Sequence, residues 1–443
     1  MPSRWERHFI FWTKTIEPQR IPRGEHPISR SDISPGPLKV LYTLKDAGYE
    51  AYMVGGGVRD LLAGVKPKDF DIATNARPEQ IRQLFRGCRL VGRRFMIAHV
   101  RMGPEIVEVT TFRGPITDSH ERDETGRILS DNIYGTLEDD ALRRDFTLNA
   151  LYYDIRDDSI VDYTGGVEDL RARTVRLIGD PELRYREDPV RMLRAIRIGN
   201  KLHFRLDPAA VAPLKTLAPL LREIPPARLF DEVLKLLLNP EAVENFRAMH
   251  WFNLWRELFP DNAAALDAGG DEARGFIEGA LANTAERVRQ NQPVSPAFLF
   301  AALLWPSVRE RAAELKTRQG HPEFIALTQA GDEGFARQSQ RIAVPKRFSF
   351  PAREIWQLQP RFERRRGGQP QKFLTHPRFR AAYDFLLLRA AHGEPVQELA
   401  DWWTQAQTGQ TPVVPQGAEP PLPARKRRRR RRRGGGGPQQ TPG

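Results

Sequence analysis

Asp69 and Asp71 place two carboxylates two residues apart, with Phe70 between them and the run Gly55-Gly56-Gly57-Val58-Arg59-Asp60 shortly before. On a strand such residues share one face, so both carboxylates project together while Phe70 packs behind, with Cα atoms roughly 6.5–7 Å apart. A pair of like charges adds nothing to a strand's stability. Divalent cations relieve the repulsion, and all-oxygen ligands suit Mg²⁺, with Mn²⁺ as a substitute. Glycines between a strand and a helix let backbone N–H groups approach an anion, as a triphosphate requires. The run lacks the Gly-Lys-Ser/Thr of a P-loop and the third glycine of a dinucleotide fingerprint. Alone, a glycine cluster is more often a tight turn, and an aspartate pair after Lys66-Pro67-Lys68 a solvated strand end. Their closeness in sequence joins them into one candidate site. A third carboxylate would complete a two-metal centre, and two candidates stand open. Glu108 alternates with Val107 and Val109 on a hairpin strand, and Asp145 follows Arg143-Arg144.

The elements that must position these groups follow from periodicity. Leu38, Leu41, Leu44 and Ala47 predict a helix that Gly48 stops. Residues 51–54 predict a buried strand, 58–63 a helix, 69–73 a second strand and 78–85 a helix. Residues 97–101 and 106–112 predict two strands of a hairpin around Met102-Gly103-Pro104-Glu105. From Pro189 onward helical spacing takes over. The expected architecture is multidomain α+β, with an irregular lead-in over 1–35 and an α/β head with a small mixed sheet over 36–171. A helical neck over 172–260 and a helical body over 261–405 follow. Residues 406–443 have the composition of a disordered tail.

Charge narrows the partners. The chain of 443 residues carries a net +13, and nine positive charges lie at residues 425–433. That favours a polyanion, either nucleic acid or an anionic membrane. The single cysteine, Cys88, excludes an intramolecular disulfide and a thiolate zinc site. No apolar stretch approaches bilayer length and no secretory pattern follows the first residues. A cytoplasmic chain without a membrane partner is expected.

Three further stretches complete a pattern: Arg143-Arg144-Asp145-Phe146-Thr147, Asp162-Tyr163-Thr164-Gly165-Gly166-Val167-Glu168-Asp169-Leu170, and Glu187-Asp188-Pro189-Val190-Arg191-Met192-Leu193-Arg194-Ala195. With the glycine run and the aspartate pair, they make residues 21–403 resemble the nucleotidyltransferase family that includes bacterial poly(A) polymerase and the CCA-adding tRNA nucleotidyltransferases. Residues 90–100, Ile21-Pro22-Arg23 leading into Ile28-Ser29-Arg30, and the arginine-rich tail are similar to the poly(A) polymerase branch.

The resemblance implies a template-independent adenylyltransferase that moves AMP from ATP to RNA 3′ ends. It implies a head, neck and body, with Asp69 and Asp71 carrying Mg²⁺ and Asp145 counted with them as catalytic. Glu108 remains the other candidate for the third metal ligand. Gly55, Gly56, Gly57, Arg59, Arg143, Arg144 and Asn149 are the expected nucleotide contacts in the head. In the neck, Asp188, Arg191, Arg194 and Arg197 are expected to read the base. Asp188 should also cap the helix that Pro189 opens. Carboxylate and guanidinium suit adenine and cytosine alike, so pocket shape must choose ATP over CTP. Residues 425–433, Arg364-Arg365-Arg366 and Lys346-Arg347 are candidate phosphate contacts. Trp356, Trp402 and Trp403 at helical spacing are more often core than base-stacking. RNA-decay proteins are candidate partners of the tail, and a monomer is expected. The rival readings are a CCA-adding enzyme, a catalytically silent RNA-binding protein on the same fold, and a membrane-surface protein using the tail.

Overall fold

Tyr52, Met53 and Val54 are apolar in succession because their strand is covered on both faces. Met53 packs with Ile72, Val109 and Leu151 on one side, and Tyr52 and Val54 pack with Ala73, Phe112 and Tyr152 on the other. The computed structural model describes residues 17–92, 95–115 and 133–408 of the chain. The basic run at 425–433, Arg93 and Arg94, and the expected tail from residue 409 lie outside them.

The head is built on an eight-stranded sheet in the order β1-β8-β7-β2-β3-β6-β5-β4. Its strands are β1 (Gln19–Ile21), β2 (Ala51–Val54), β3 (Asp71–Thr74), β4 (Cys88–Val91), β5 (Ile97–Met102), β6 (Glu105–Thr111), β7 (Leu151–Asp154) and β8 (Ile160–Asp162). β3 and β6 are parallel and the other neighbours antiparallel, so the sheet is mixed as expected. The helices of the head are α1 (Pro35–Asp46), α2 (Gly56–Leu62), α3 (Pro78–Leu84), α4 (Leu137–Arg143) and α5 (Gly166–Arg171).

Two expectations need correction. The second strand begins at Asp71, so Asp69 and Phe70 belong to the loop that enters it. The lead-in is not irregular throughout, because Gln19–Ile21 pairs with β8 and buries Ile21. Ile28 and Ile33 follow Ile21 into the head core.

After α6 (Pro181–Glu187) the chain is almost wholly helical. α7 (Val190–Leu202), α8 (Pro208–Val211), α9 (Leu214–Leu217), α10 (Pro226–Leu237), α11 (Ala242–Trp251), α12 (Leu254–Leu258), α13 (Pro260–Arg289), α14 (Pro296–Gln319), α15 (Glu323–Ser339) and α16 (Lys346–Leu358) share one core. α17 (Gln369–Leu374), α18 (Phe379–Ala391) and α19 (Gln397–Gln407) close around Phe362, Phe373, Trp402 and Trp403. Trp356 is also buried, donating its indole N–H to the Ala301 carbonyl at 3.1 Å. All three tryptophans are therefore core. Among the described residues, no helix is long and apolar enough to cross a membrane.

Candidate active site

The β2–α2 turn fixes the site. Gly55 has φ 78° and ψ −135°, a backbone region that is essentially glycine's alone. A Cβ there would stand 3.5 Å from Arg144 Nη1 and 3.8 Å from Asp71 Oδ2. Gly57 is held bare by packing, because a Cβ would meet Phe70 Cδ1 at 2.9 Å and the Asp69 carbonyl at 3.3 Å. The glycine turn thus lies directly on the aspartate loop. Gly56 lies between them, at the start of α2.

Asp71 pairs in register with Glu108 on the parallel neighbour β6. Residues in register on adjacent strands share a face, so the two carboxylates stand side by side. Burial, then Glu108 and Asp69, push the Asp71 carboxyl up to about 6. Asp69 is exposed at the loop. Glu108 leans toward His99, with Oε1 3.4 Å from Nε2. Among the described residues, no three His, Cys, Asp or Glu side chains converge on one metal position. This set fits Mg²⁺ nonetheless. That ion is commonly held by one or two carboxylates and completes its shell with substrate phosphates and water. A desolvated carboxylate crowded by like charge is one that a cation would keep ionised.

Asp145 has partners of its own, and one of them, Arg194, also acts on Asp71. Its Oδ2 accepts from Arg194 Nε at 2.6 Å, and its Oδ1 accepts from Asn149 Nδ2 at 3.0 Å and the Phe146 N–H at 3.0 Å. Against the upward push of burial, Arg194 and Asn149 hold its carboxyl well below the usual range. The chain of contacts continues. Arg59 Nη1 donates to Asn149 Oδ1 at 2.6 Å, and its Nε and Nη2 donate to Asp60 Oδ1 at 2.9 and 2.6 Å. Lys201 Nζ closes the line on Asp60 Oδ2 at 2.6 Å. Arg59 is buried, and its Nη2 also lies 3.6 Å from where a Cβ on Gly56 would stand, so it lines the glycine turn while serving this network. Lys201–Asp60–Arg59–Asn149–Asp145–Arg194 stitches α2 of the head to both ends of α7.

Arg144 also reaches the turn, beside Gly55. Asp140 holds it by Nε at 3.1 Å and Nη2 at 2.9 Å, and the Tyr152 hydroxyl accepts from Nε at 2.9 Å. Asp140 is buried. Against that burial, Arg144 and Arg113 bring its carboxyl down to about 2. Arg143 donates to the Gly114 carbonyl at 2.6 Å.

The neck presents the base-reading candidates already held by neighbours. Asp188 accepts from Arg228 Nη2 at 2.6 Å and from the Val190 N–H at 3.3 Å, but the helix begins at Val190, so Pro189 takes the cap position expected of Asp188. Arg191 donates to Glu187 at 2.8 Å and to the Arg184 carbonyl at 2.7 Å. Asp188 and Arg191 thus hold separate partners. Arg197 is drawn below its ordinary value by burial and then Arg194, and its Nε has no partner. Glu232 is also buried with Oε2 unpaired, and its charge acts on both Arg194 and Arg197. Sequence reading missed Asp140, Arg184, Arg228 and Glu232. The available signal was two charges one turn apart, Arg228 and Glu232, beside the apolar stripe Leu229, Val233 and Leu237 of α10.

Three family models match the chain. They are the poly A polymerase head domain over 51–176, a probable RNA and SrmB-binding site of polymerase A over 203–266, and the polymerase A arginine-rich C-terminus over 319–434. The poly(A) polymerase I of Salmonella typhi is 49% identical over 401 residues, covering 88% of this chain and 86% of that protein. The CCA-adding enzyme of Lactobacillus helveticus is 40% identical over 210 residues, which is 47% of this chain and 51% of that protein. Among solved structures, the Bacillus stearothermophilus CCA-adding enzyme in complex with CTP aligns with TM-score 0.55 and 29% identity. That alignment covers 86% of this chain and 84% of that one.

Proposed function

This chain belongs to the poly(A) polymerase family, and on that premise we propose how its residues add adenylate to RNA. It is a nucleotidyltransferase that polyadenylates RNA. The observation that carries the catalytic reading is the Asp71 carboxylate, in register with Glu108 and facing Gly55 and Arg144. The RNA 3′-hydroxyl oxygen attacks the α-phosphorus of ATP, the bond from that phosphorus to the β-phosphate oxygen breaks, and pyrophosphate leaves. The hydroxyl proton passes to solvent. Asp69 and Asp71 would hold Mg²⁺, which supplies activation of the hydroxyl and neutralisation of the leaving group. The bare backbone of Gly55–Gly57 lets the triphosphate approach. Arg144, held in place by Asp140 and Tyr152, opposes charge building on the phosphates. Asp145 and Asn149 act through Arg194 and Arg59, orienting the neck against the head. Asp188 and Arg191 read the base once ATP displaces their present partners.

RNA is the substrate, RNA-decay proteins are the proposed partners of the basic tail, and the enzyme works in the cytoplasm as a monomer. The test is extension of an unstructured RNA primer with each NTP supplied separately and Mg²⁺ present. Long tails are expected with ATP alone. Additions of a few nucleotides confined to tRNA ends, with CTP used, would overturn the proposal in favour of CCA addition.

A further inference from the structure

Trp251, the last residue of α11, is 67% exposed, whereas Trp255, Trp305, Trp356, Trp402 and Trp403 are buried. Lys215 of α9 sets its ammonium 4.5 Å from the Trp251 ring centroid. Beside the indole lies a cavity of about 510 Å³, lined by Phe246, Arg247, His250, Trp251, Arg274 and Glu278. Arg274 donates to His250 Nε2 at 3.0 Å, and Arg247 pairs with Glu278. Neither Trp251 nor this cavity has a role in the chemistry above.

The chemistry of the cavity selects its occupant. Its volume suits a small planar group and is too small for a docked helix. An apolar peptide would have to desolvate the Lys215 ammonium and the Arg247 and Arg274 guanidiniums, which costs free energy. A nucleotide meets both demands at once. Its base stacks on the indole, and its phosphates answer Lys215 beside the ring and Arg274, whose guanidinium is bonded to His250. Position indicates which nucleotide. α11 joins α7 through Asn245 and Asn200, whose side chains bond at 2.8 Å. Asn200 is nine residues, roughly 13 Å along the helix, beyond Arg191. The cavity is thus set back from the base-reading residues. We propose that Trp251 and the cavity beside it bind one base of the RNA strand, upstream of the growing 3′ end. This rests on RNA being the substrate, as proposed above, and the matched segment 203–266 contains both Lys215 and Trp251.

The test uses the full chain and a 20-nucleotide oligo(A), measuring direct binding and steady-state extension together. Trp251→Ala should weaken Kd and raise KM for the oligonucleotide roughly tenfold, as expected for loss of one stacked base. It should leave kcat unchanged, and Trp251→Phe should recover most of the loss. Oligo(A) should quench tryptophan fluorescence in the wild type and much less in Trp251→Ala. Unchanged Kd and KM in Trp251→Ala would overturn the inference. So would a loss of kcat alone, or a variant that binds RNA normally but no longer captures a protein partner. Failure of the wild type to extend any RNA with ATP would instead sink the proposed function, while the binding arm would still decide the role of Trp251.

Discussion

At the scale of single residues, Asp71 and Asp145 stand in opposite electrostatic surroundings. Asp71 is crowded by Glu108 and Asp69, whereas Asp145 is neutralised by Arg194. Asp71→Ala is expected to lower kcat by roughly a thousandfold or more, with RNA affinity by fluorescence polarisation unchanged. Retained extension would break the metal assignment. Asp140 makes a different test. Its folded pKa, about 2, lies below its unfolded one, so its stabilisation is full above about pH 4 and lost as pH falls through about 2. Asp140→Asn should therefore cost about 2 kcal/mol at pH 7. The Tm gap to wild type should narrow between pH 4 and pH 2. Glu108 was legible in the sequence because strand alternation fixes which face a residue takes. The partner of Asp145 was not, because Arg194 lies 49 positions on, in an element whose docking no local pattern encodes.

At the scale of elements, the glycine turn and the aspartate loop are one packed unit. Gly57→Ala would force a methyl group against Phe70 and the Asp69 carbonyl, displacing the loop that carries Asp69 and leads into Asp71. The expected result is a folded protein with kcat reduced roughly a hundredfold, since small misplacements of reacting groups are costly. RNA affinity should be unchanged. Near-normal kcat would mean that the loop can shift without consequence. The strands at 51–54 and in the hairpin were readable because each is a short apolar or alternating run bounded by glycine or a tight turn. β1 was not, because its three residues sit between Pro18 and Pro22, and proline punctuation resembles a loop. Its strand character comes from pairing with β8, contact supplied by residues 160–162.

At the scale of the whole molecule, RNA is expected to be held by several separate contacts. Nine positive charges at 425–433 are the strongest sequence-level contribution. Deleting residues 409–443 should weaken RNA binding chiefly at low salt. It should also flatten the dependence of log affinity on log salt by up to about 6, at about 0.7 per phosphate contact on single strands. An unchanged slope would show that the tail is no RNA contact. Helical spacing identified the apolar core of the neck and body. It could not reveal which arginines are already engaged, as Arg365 is with Glu398, because ion-pair partners come from distant turns. The line from Lys201 to Arg194 has a practical corollary for anyone recombining these modules. Each interior member satisfies a neighbour on either side, so transplanting a foreign head onto this neck would strand buried charge at the seam. A working chimera would need all six side chains to travel as a set.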